Sequence, residues 1–167
     1  RLIQQISTCS TLVYDITSIS SYSQSISLLE YGYNRDGLDL PQINLSLIVD
    51  KDLGIPVMYD LYPGSIADIS TLKNTIKKIA AQGVKRYTMI MDRGFFSTDN
   101  IEAMVSSDLS FIIPPTNNLK NVKEAISAIH KGIDDPEYLK LYEKEPLFVM
   151  PVSIDVGEIR LKGYAYY

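Results

Sequence analysis

Residues 86–97 read RYTMIMDRGFFS, and the fold turns on how this stretch is taken. Tyr87, Thr88, Met89, Ile90 and Met91 are aromatic, β-branched or long apolar residues, followed at once by Asp92, Arg93 and Gly94. Periodicity alone leaves a short buried strand and a buried helical turn open. Length decides, because Gly83 stops the preceding helical pattern and Gly94 ends this one, leaving room for a strand only. Asp92 then stands where the backbone leaves a sheet, the edge at which ligands gather in α/β folds. A carboxylate there needs a cation, a hydrogen-bond partner or water, and a wet turn bonding its own amides would satisfy it equally.

Working outward, residues 68–82 predict an amphipathic helix. Ile69, Leu72, Ile76 and Ile79 form one stripe, Asp68 is the expected N-cap, and Gly83 stands past the end. Lys73, Lys77 and Lys78 lie off that stripe, as on a solvated face. Upstream, residues 43–50 alternate Ile43, Leu45, Leu47 and Val49 with Asn44 and Ser46, and residues 56–62 follow a turn through Gly54. These predict a hairpin. Residues 11–17, TLVYDIT, predict a first strand with Val13, Asp15 and Thr17 on one face and Leu12, Tyr14 and Ile16 on the other. Asp15 breaks an otherwise strong strand pattern, and such breaks mark functional or strained positions; a turn cap is the alternative. Residues 1–9 suggest the tail of a helix, and residues 18–27, with six serines, a loop. Downstream, Ser97 or Thr98 caps a short helix, and residues 110–113 form a fifth strand before Pro114-Pro115. A helix through Val122 and Ile129 follows, then a helical piece from Asp135-Pro136 to about Tyr142, and strands at residues 147–154 and 159–167.

Three strands followed by alternating helix and strand predict a mixed sheet with helices on both faces. With the first and fourth strands adjacent, Asp15 and Asp92 lie one strand spacing apart, about 4.8 Å. Two carboxylates so close repel unless a hard cation sits between them, and Mg²⁺ is held in this way by one or two carboxylates with phosphate oxygens and water. A pair of such ions can clamp both oxygens of an in-line phosphoryl transfer.

The 167 residues suffice for a sizeable core, with 46% apolar and 22% charged residues. Cys9 and His130 are the only residues of their types, which excludes a disulfide framework and a Cys/His zinc site. A net charge of −4 argues against a free-standing nucleic-acid-binding module. No apolar run is long enough to span a membrane.

The strand order, with acids on the first and fourth strands, resembles the ribonuclease H-like catalytic core. More closely, the chain resembles the DDE transposases of bacterial and archaeal insertion sequences, of the insertion-sequence-four type. The likeness rests on YDITSIS at 14–20, GYNRDGLDLPQINLSLIVD at 32–50, PGSIADISTL at 63–72 and MDRGFFS at 91–97. The resemblance implies an α/β fold with a five-stranded mixed sheet: residues 1–115 as a partial catalytic core, and 116–167 as a helical connection and the start of a β-rich insertion. It makes Asp15 and Asp92 catalytic aspartates and Mg²⁺ ligands, Mn²⁺ being able to substitute, with two ions in the complete site. The family's third acid is a glutamate in a Tyr-Arg-Glu-Lys-like pattern, which this chain lacks; it is expected beyond Tyr167, with Glu124 as the rival and Glu143, Glu145 and Glu158 behind it.

Arg93 and Arg35 become candidate DNA contacts, Phe95 and Phe96 either base-stacking or packing groups, and Gln42 part of the loop pattern. The implied whole enzyme is a cytoplasmic, prokaryotic, nucleoid-associated transposase. It acts as a dimer or higher oligomer on transposon ends and target DNA, with no membrane partner. The competing functions are a hydrolytic nuclease of the same fold and a non-catalytic remnant or assembly module.

Overall fold

The computed structural model describes residues 10–33, 37–84, 86–116 and 118–166. The helix expected within residues 1–9, and Arg35, lie outside these. The chain divides into two compact units, Arg1–Pro114 and Pro115–Tyr167.

The first unit runs β1 (Ser10–Ser20), β2 (Gln42–Asp50), β3 (Ile55–Pro63), α1 (Asp68–Ala81), β4 (Tyr87–Met91), α2 (Thr98–Ser106) and β5 (Ser110–Ile112). Its sheet has the order β3-β2-β1-β4-β5. β2 is antiparallel to both neighbours, whereas β1, β4 and β5 are parallel. This is the mixed five-stranded α/β sheet that the sequence predicts.

Both helices follow from handedness. β3 runs parallel to β4, so β3-α1-β4 and β4-α2-β5 are crossovers in the same direction, and the right-handed rule puts their helices on one face. Side chains agree: the Tyr14 hydroxyl bonds Thr71 and Thr75 of α1, and Asn100 of α2 bonds the Ile69 carbonyl of α1. The sequence reading put helices on both faces; the two helices of this unit share one. Between them and the sheet lies the core of Leu12, Tyr14, Ile16, Ile48, Leu72, Ile79, Met89, Met91, Phe95, Ile101 and Met104. Each such aliphatic side chain stabilises the fold by roughly 1.5–3 kcal/mol.

β2 shows an inversion. Its helix-facing side carries buried Gln42, Asn44, Ser46 and Asp50 with Ile48, while Ile43, Leu45, Leu47 and Val49 are only half-buried on the other face. Buried polar groups persist where they are bonded. Asn44 Nδ2 donates to the Ile66 carbonyl at 2.9 Å and Gln42 Nε2 to the Tyr33 carbonyl at 2.8 Å. These bonds tie the long β1–β2 loop and the β3–α1 turn to the sheet. Backbone packing there is close enough that a Cβ on Gly64 would lie 2.3 Å from the carbonyl oxygens of both Gln42 and Glu30.

Other boundaries shift modestly. β1 extends through Ser20, taking in residues expected in the serine-rich loop. The N-cap of α1 is Ala67, in extended backbone with no side-chain cap, so Asp68 is the first helical residue. The Ser97 cap of α2, whose Oγ accepts from the Asn100 amide, follows the expected pattern, and a 3₁₀ turn at Arg93–Phe95 precedes it.

The second unit contains α3 (Lys120–Ile129), β6 (Leu139–Tyr142), β7 (Glu145–Val156) and β8 (Ile159–Tyr166) in an antiparallel sheet of order β6-β7-β8. The helical piece expected up to Tyr142 is only a 3₁₀ turn at Pro136–Tyr138, after which Leu139–Tyr142 pairs with β7. The reason is the turn at Glu143 and Lys144, both left-handed (φ 49 and 75). Two consecutive residues with positive φ make a tight hairpin of matching twist.

Candidate metal and phosphoryl-transfer site

β1 and β4 place the two predicted aspartates together. In their parallel ladder Tyr14 is opposite Met91, and both side chains are buried under the helices. Asp15 is the next residue on β1 and Asp92 the next after β4, so both step to the opposite, open face. Both are exposed. Strand spacing sets their backbones about 4.8 Å apart.

Each carboxylate has one oxygen held by a main-chain amide. Asp15 Oδ1 accepts from the Ile16 amide at 2.8 Å, and Asp92 Oδ1 accepts from the Gly94 amide at 2.8 Å. The remaining oxygens are hard anionic donors facing solvent, which suits Mg²⁺ or Mn²⁺. Gly94 makes a close approach there: a Cβ on it would lie 3.0 Å from Asp92 Oδ1, so the carboxylate would have to give by a few tenths of an ångström.

Behind the acids the scaffold is buried and cross-bonded. The rings of Tyr14 and Phe95 meet with centroids 4.9 Å apart, joining the residue before Asp15 to the turn after Asp92. The Tyr14 hydroxyl lies 2.7 Å from Thr71 Oγ1 and 3.2 Å from Thr75 Oγ1. Burial holds its phenol above the usual range, with the threonine bonds opposing in part. Buried Asn100 donates to the carbonyls of Phe95 at 3.0 Å and Ile69 at 2.9 Å, stapling the Arg93–Phe95 turn to α1. Asn100 was missed from sequence, although a polar residue beside Ile101 and Met104 on the buried helix face was a signal.

The other candidates separate. Arg93 is exposed on the turn directly after Asp92 and makes no ion pair with a described residue. Phe95 and Phe96 are buried, so they pack α2 onto the sheet. Gln42 is buried and braces the β1–β2 loop. Glu124 belongs to α3 in the second unit, where it is solvent-exposed and 3.8 Å from Lys120 one turn away. Glu143 sits in the β6–β7 turn, Glu145 on β7 and Glu158 in the turn before β8. Among the described residues, no three His, Cys, Asp or Glu side chains gather in metal-binding range.

No curated protein matches the chain. The piggyBac transposase in its synaptic complex with hairpin DNA shares 14% identity at a TM-score of 0.49, covering 99% of this chain and 34% of that one. The Drosophila P element transposase of a strand transfer complex shares 12% identity at a TM-score of 0.32, covering 83% and 32%. The chain thus spans about one third of the length of these solved transposases. The family model described as the transposase DDE domain matches residues 6–148. By that match over most of its length, the chain belongs to the transposase DDE domain family.

Proposed function

We propose that the chain is part of the catalytic core of a DNA transposase of the insertion-sequence-four type, with Asp15 and Asp92 as its metal-holding acids. The observation that carries this reading is the register of β1 on β4. It sets two exposed carboxylates side by side where the parallel β1–β4 ladder ends, Asp15 within β1 and Asp92 just past β4, on a base of buried aromatic and hydrogen-bonded residues. Like charges so placed repel one another, and a hard cation between them would relieve that repulsion.

Asp15 and Asp92 would hold one Mg²⁺ between them, or Mn²⁺ in its place. The complete site would carry two ions and a third acid. The chemistry that such ions supply is stabilisation of charge on the attacking and leaving oxygens of an in-line phosphoryl transfer. The protein's part is to keep the carboxylates fixed. Gly94 leaves room for Asp92, Asn100 anchors the turn that follows it, and Tyr14 and Phe95 lock the strand ends. Arg93 and Arg35 would contact DNA phosphates. Glu124 is assigned to the surface of α3, on the strength of its exposure and its pairing with Lys120.

In the whole enzyme, residues 1–115 would serve as the core and 116–167 as the connection into a β-rich insertion. The enzyme would cut donor DNA and join the freed 3′ hydroxyl to target DNA, as a dimer or higher assembly near the nucleoid of a prokaryotic cytoplasm. Among the described residues no helix is long and apolar enough to cross a membrane.

The test is a strand-cleavage and strand-joining assay with Mg²⁺ or Mn²⁺, using the complete polypeptide that contains this chain and DNA carrying the element's ends. The proposal expects both activities to disappear in Asp15→Asn and in Asp92→Asn. Cleavage without joining would identify a hydrolytic nuclease instead. Activity that survives both substitutions would overturn the site.

A further inference from the structure

α1 braces the chain beside both candidate metal ligands. Its Thr71 and Thr75 bond the hydroxyl of Tyr14, the residue before Asp15, and its Ile69 carbonyl accepts from Asn100. Asn100 is 2% exposed, on a helix face whose other buried residues are Ile101 and Met104. The cap explains how it comes to be there. Ser97 Oγ accepts from the Asn100 amide, which places Asn100 in the first turn of α2. A helical Cα–Cβ bond tilts towards the N-terminus, so this side chain reaches back to the chain that enters the helix. There Nδ2 donates to the Phe95 carbonyl at 3.0 Å and, across to α1, to the Ile69 carbonyl at 2.9 Å. Both hydrogens of the amide are used at ordinary lengths, and a primary amide is the group that supplies two donors from so short a side chain.

The turn held in this way is the one that aims Asp92. The Gly94 amide donates to Asp92 Oδ1 at 2.8 Å, and the Phe95 amide donates to the Asp92 carbonyl at 3.3 Å. Lys73 and Asp99 also join α1 to α2, but as an exposed pair at 3.5 Å, and such pairs fix little. An apolar side chain in place of Asn100 could fill the space, yet it would take the donors from two carbonyls and impose no direction on the turn.

We infer that Asn100 is a positioning residue for the metal site. It ties the turn that orients the Asp92 carboxylate to α1, the helix that also holds β1 beneath Asp15, and so fixes the geometry in which the two carboxylates meet a cation. The inference rests on the reading of Asp15 and Asp92 as metal ligands, and it adds a residue that acts on them through the backbone. Removing a group that orients a metal ligand lowers affinity by about 10–100-fold, and Asn100 acts one step further back, so a loss of about tenfold is expected.

The experiment titrates Mn²⁺, read by electron paramagnetic resonance, into wild type, Asn100→Ala, Asn100→Asp, Ile79→Ala, Asp15→Asn and Asp92→Asn, with a thermal melt of each. Ile79 is fully buried on α1, about 15 Å along the helix from Ile69, so truncating it weakens the fold without touching the turn. Both Asn100 variants lack the two donors and should bind Mn²⁺ about tenfold more weakly at temperatures where they are folded. Ile79→Ala should melt at a lower temperature and still bind within about twofold of wild type. A second measurement needs no variant. Coupling is reciprocal, so saturating Mg²⁺ should slow hydrogen exchange of the Asn100 side-chain amide, followed by nitrogen-15 NMR, by about the same tenfold.

Wild-type affinity in both Asn100 variants overturns the inference, as does exchange at Asn100 that bound Mg²⁺ leaves unchanged. An equal loss of affinity in Ile79→Ala overturns it too, because the effect would then be a general response to destabilisation. If the Asn100 variants do not fold, the exchange measurement decides. Each of these failures leaves the site itself standing when Mn²⁺ binding is lost in Asp15→Asn and Asp92→Asn. Binding that is absent from wild type, or intact in both aspartate variants, removes the site and this inference with it.

Discussion

Tyr14→Phe probes the scaffold directly beneath the candidate site. The phenol is 1% exposed, and its hydroxyl lies 2.7 Å from Thr71 Oγ1 and 3.2 Å from Thr75 Oγ1. Removing that oxygen leaves the ring, and therefore the contact with Phe95, in place, so no large cavity opens. The loss is the hydrogen bonding: about 1 kcal/mol for one net bond, and up to about 2 kcal/mol if the Thr75 hydroxyl finds no replacement. Helical threonines can turn back to a carbonyl of the preceding turn, which recovers part of this. The expected destabilisation is therefore about 1–2 kcal/mol, whereas Tyr14→Ala, which also discards the ring, should cost about 3–5 kcal/mol. Urea denaturation followed by far-UV circular dichroism gives the value. A double-mutant cycle with Thr75→Val should show a coupling of about 0.5–1 kcal/mol. If Tyr14→Phe changes stability by less than about 0.3 kcal/mol, or the cycle shows no coupling, the hydroxyl network is not what braces β1 against α1.

Burial pushes the Tyr87 phenol up to about 12 from 10.0. The neutral form is the one the fold favours, so its contribution is complete below pH about 10 and is lost as pH rises through about 12, amounting to roughly 2–3 kcal/mol. An alkaline unfolding series on wild type and Tyr87→Phe should show the variant losing less stability across that window. Gly64→Ala should destabilise the first unit by several kcal/mol, because a Cβ would meet two backbone oxygens at 2.3 Å; thermal melting tests it, and a neutral result would refute the close packing of loop and strand. Replacing Glu143 by Asn and Lys144 by Gly should stabilise the β6–β7 hairpin by about 1–2 kcal/mol, since both positions have positive φ. Amide exchange of β6 reads that change.

The sheet was legible because its strands carry their own signals. Val, Ile and Tyr in residues 11–17, the Gly54 turn, the α1 stripe and the breakers around residues 87–94 each point to one element. They did not fix the pairing of β1 with β4 that brings Asp15 beside Asp92; that adjacency entered as a condition and through the resemblance to the ribonuclease H-like core. β2 was harder, since alternation reveals two faces without saying which one meets the helices. Here the polar face goes inward, supported by carbonyls of distant loops that no local pattern reveals. β6 was lost for a related reason: its turn uses Glu143 and Lys144 where the sequence signal would be Asn-Gly. Asn100 acts through a contact three-dimensional in origin, a carbonyl of α1 that nothing in its local sequence names, whereas the Gly94 amide bonds Asp92 within the turn that the sequence already offered.

The central claim is that Asp15 and Asp92 together hold a divalent cation, and Mn²⁺ titration by electron paramagnetic resonance tests it most directly. Wild type, Asp15→Asn and Asp92→Asn are compared with Asp99→Asn, a surface aspartate 3.5 Å from Lys73. The account predicts that the wild type binds Mn²⁺, that Mg²⁺ competes for the site, and that either Asp15→Asn or Asp92→Asn abolishes binding while Asp99→Asn leaves it unchanged. Binding that persists in both Asp15→Asn and Asp92→Asn would contradict it.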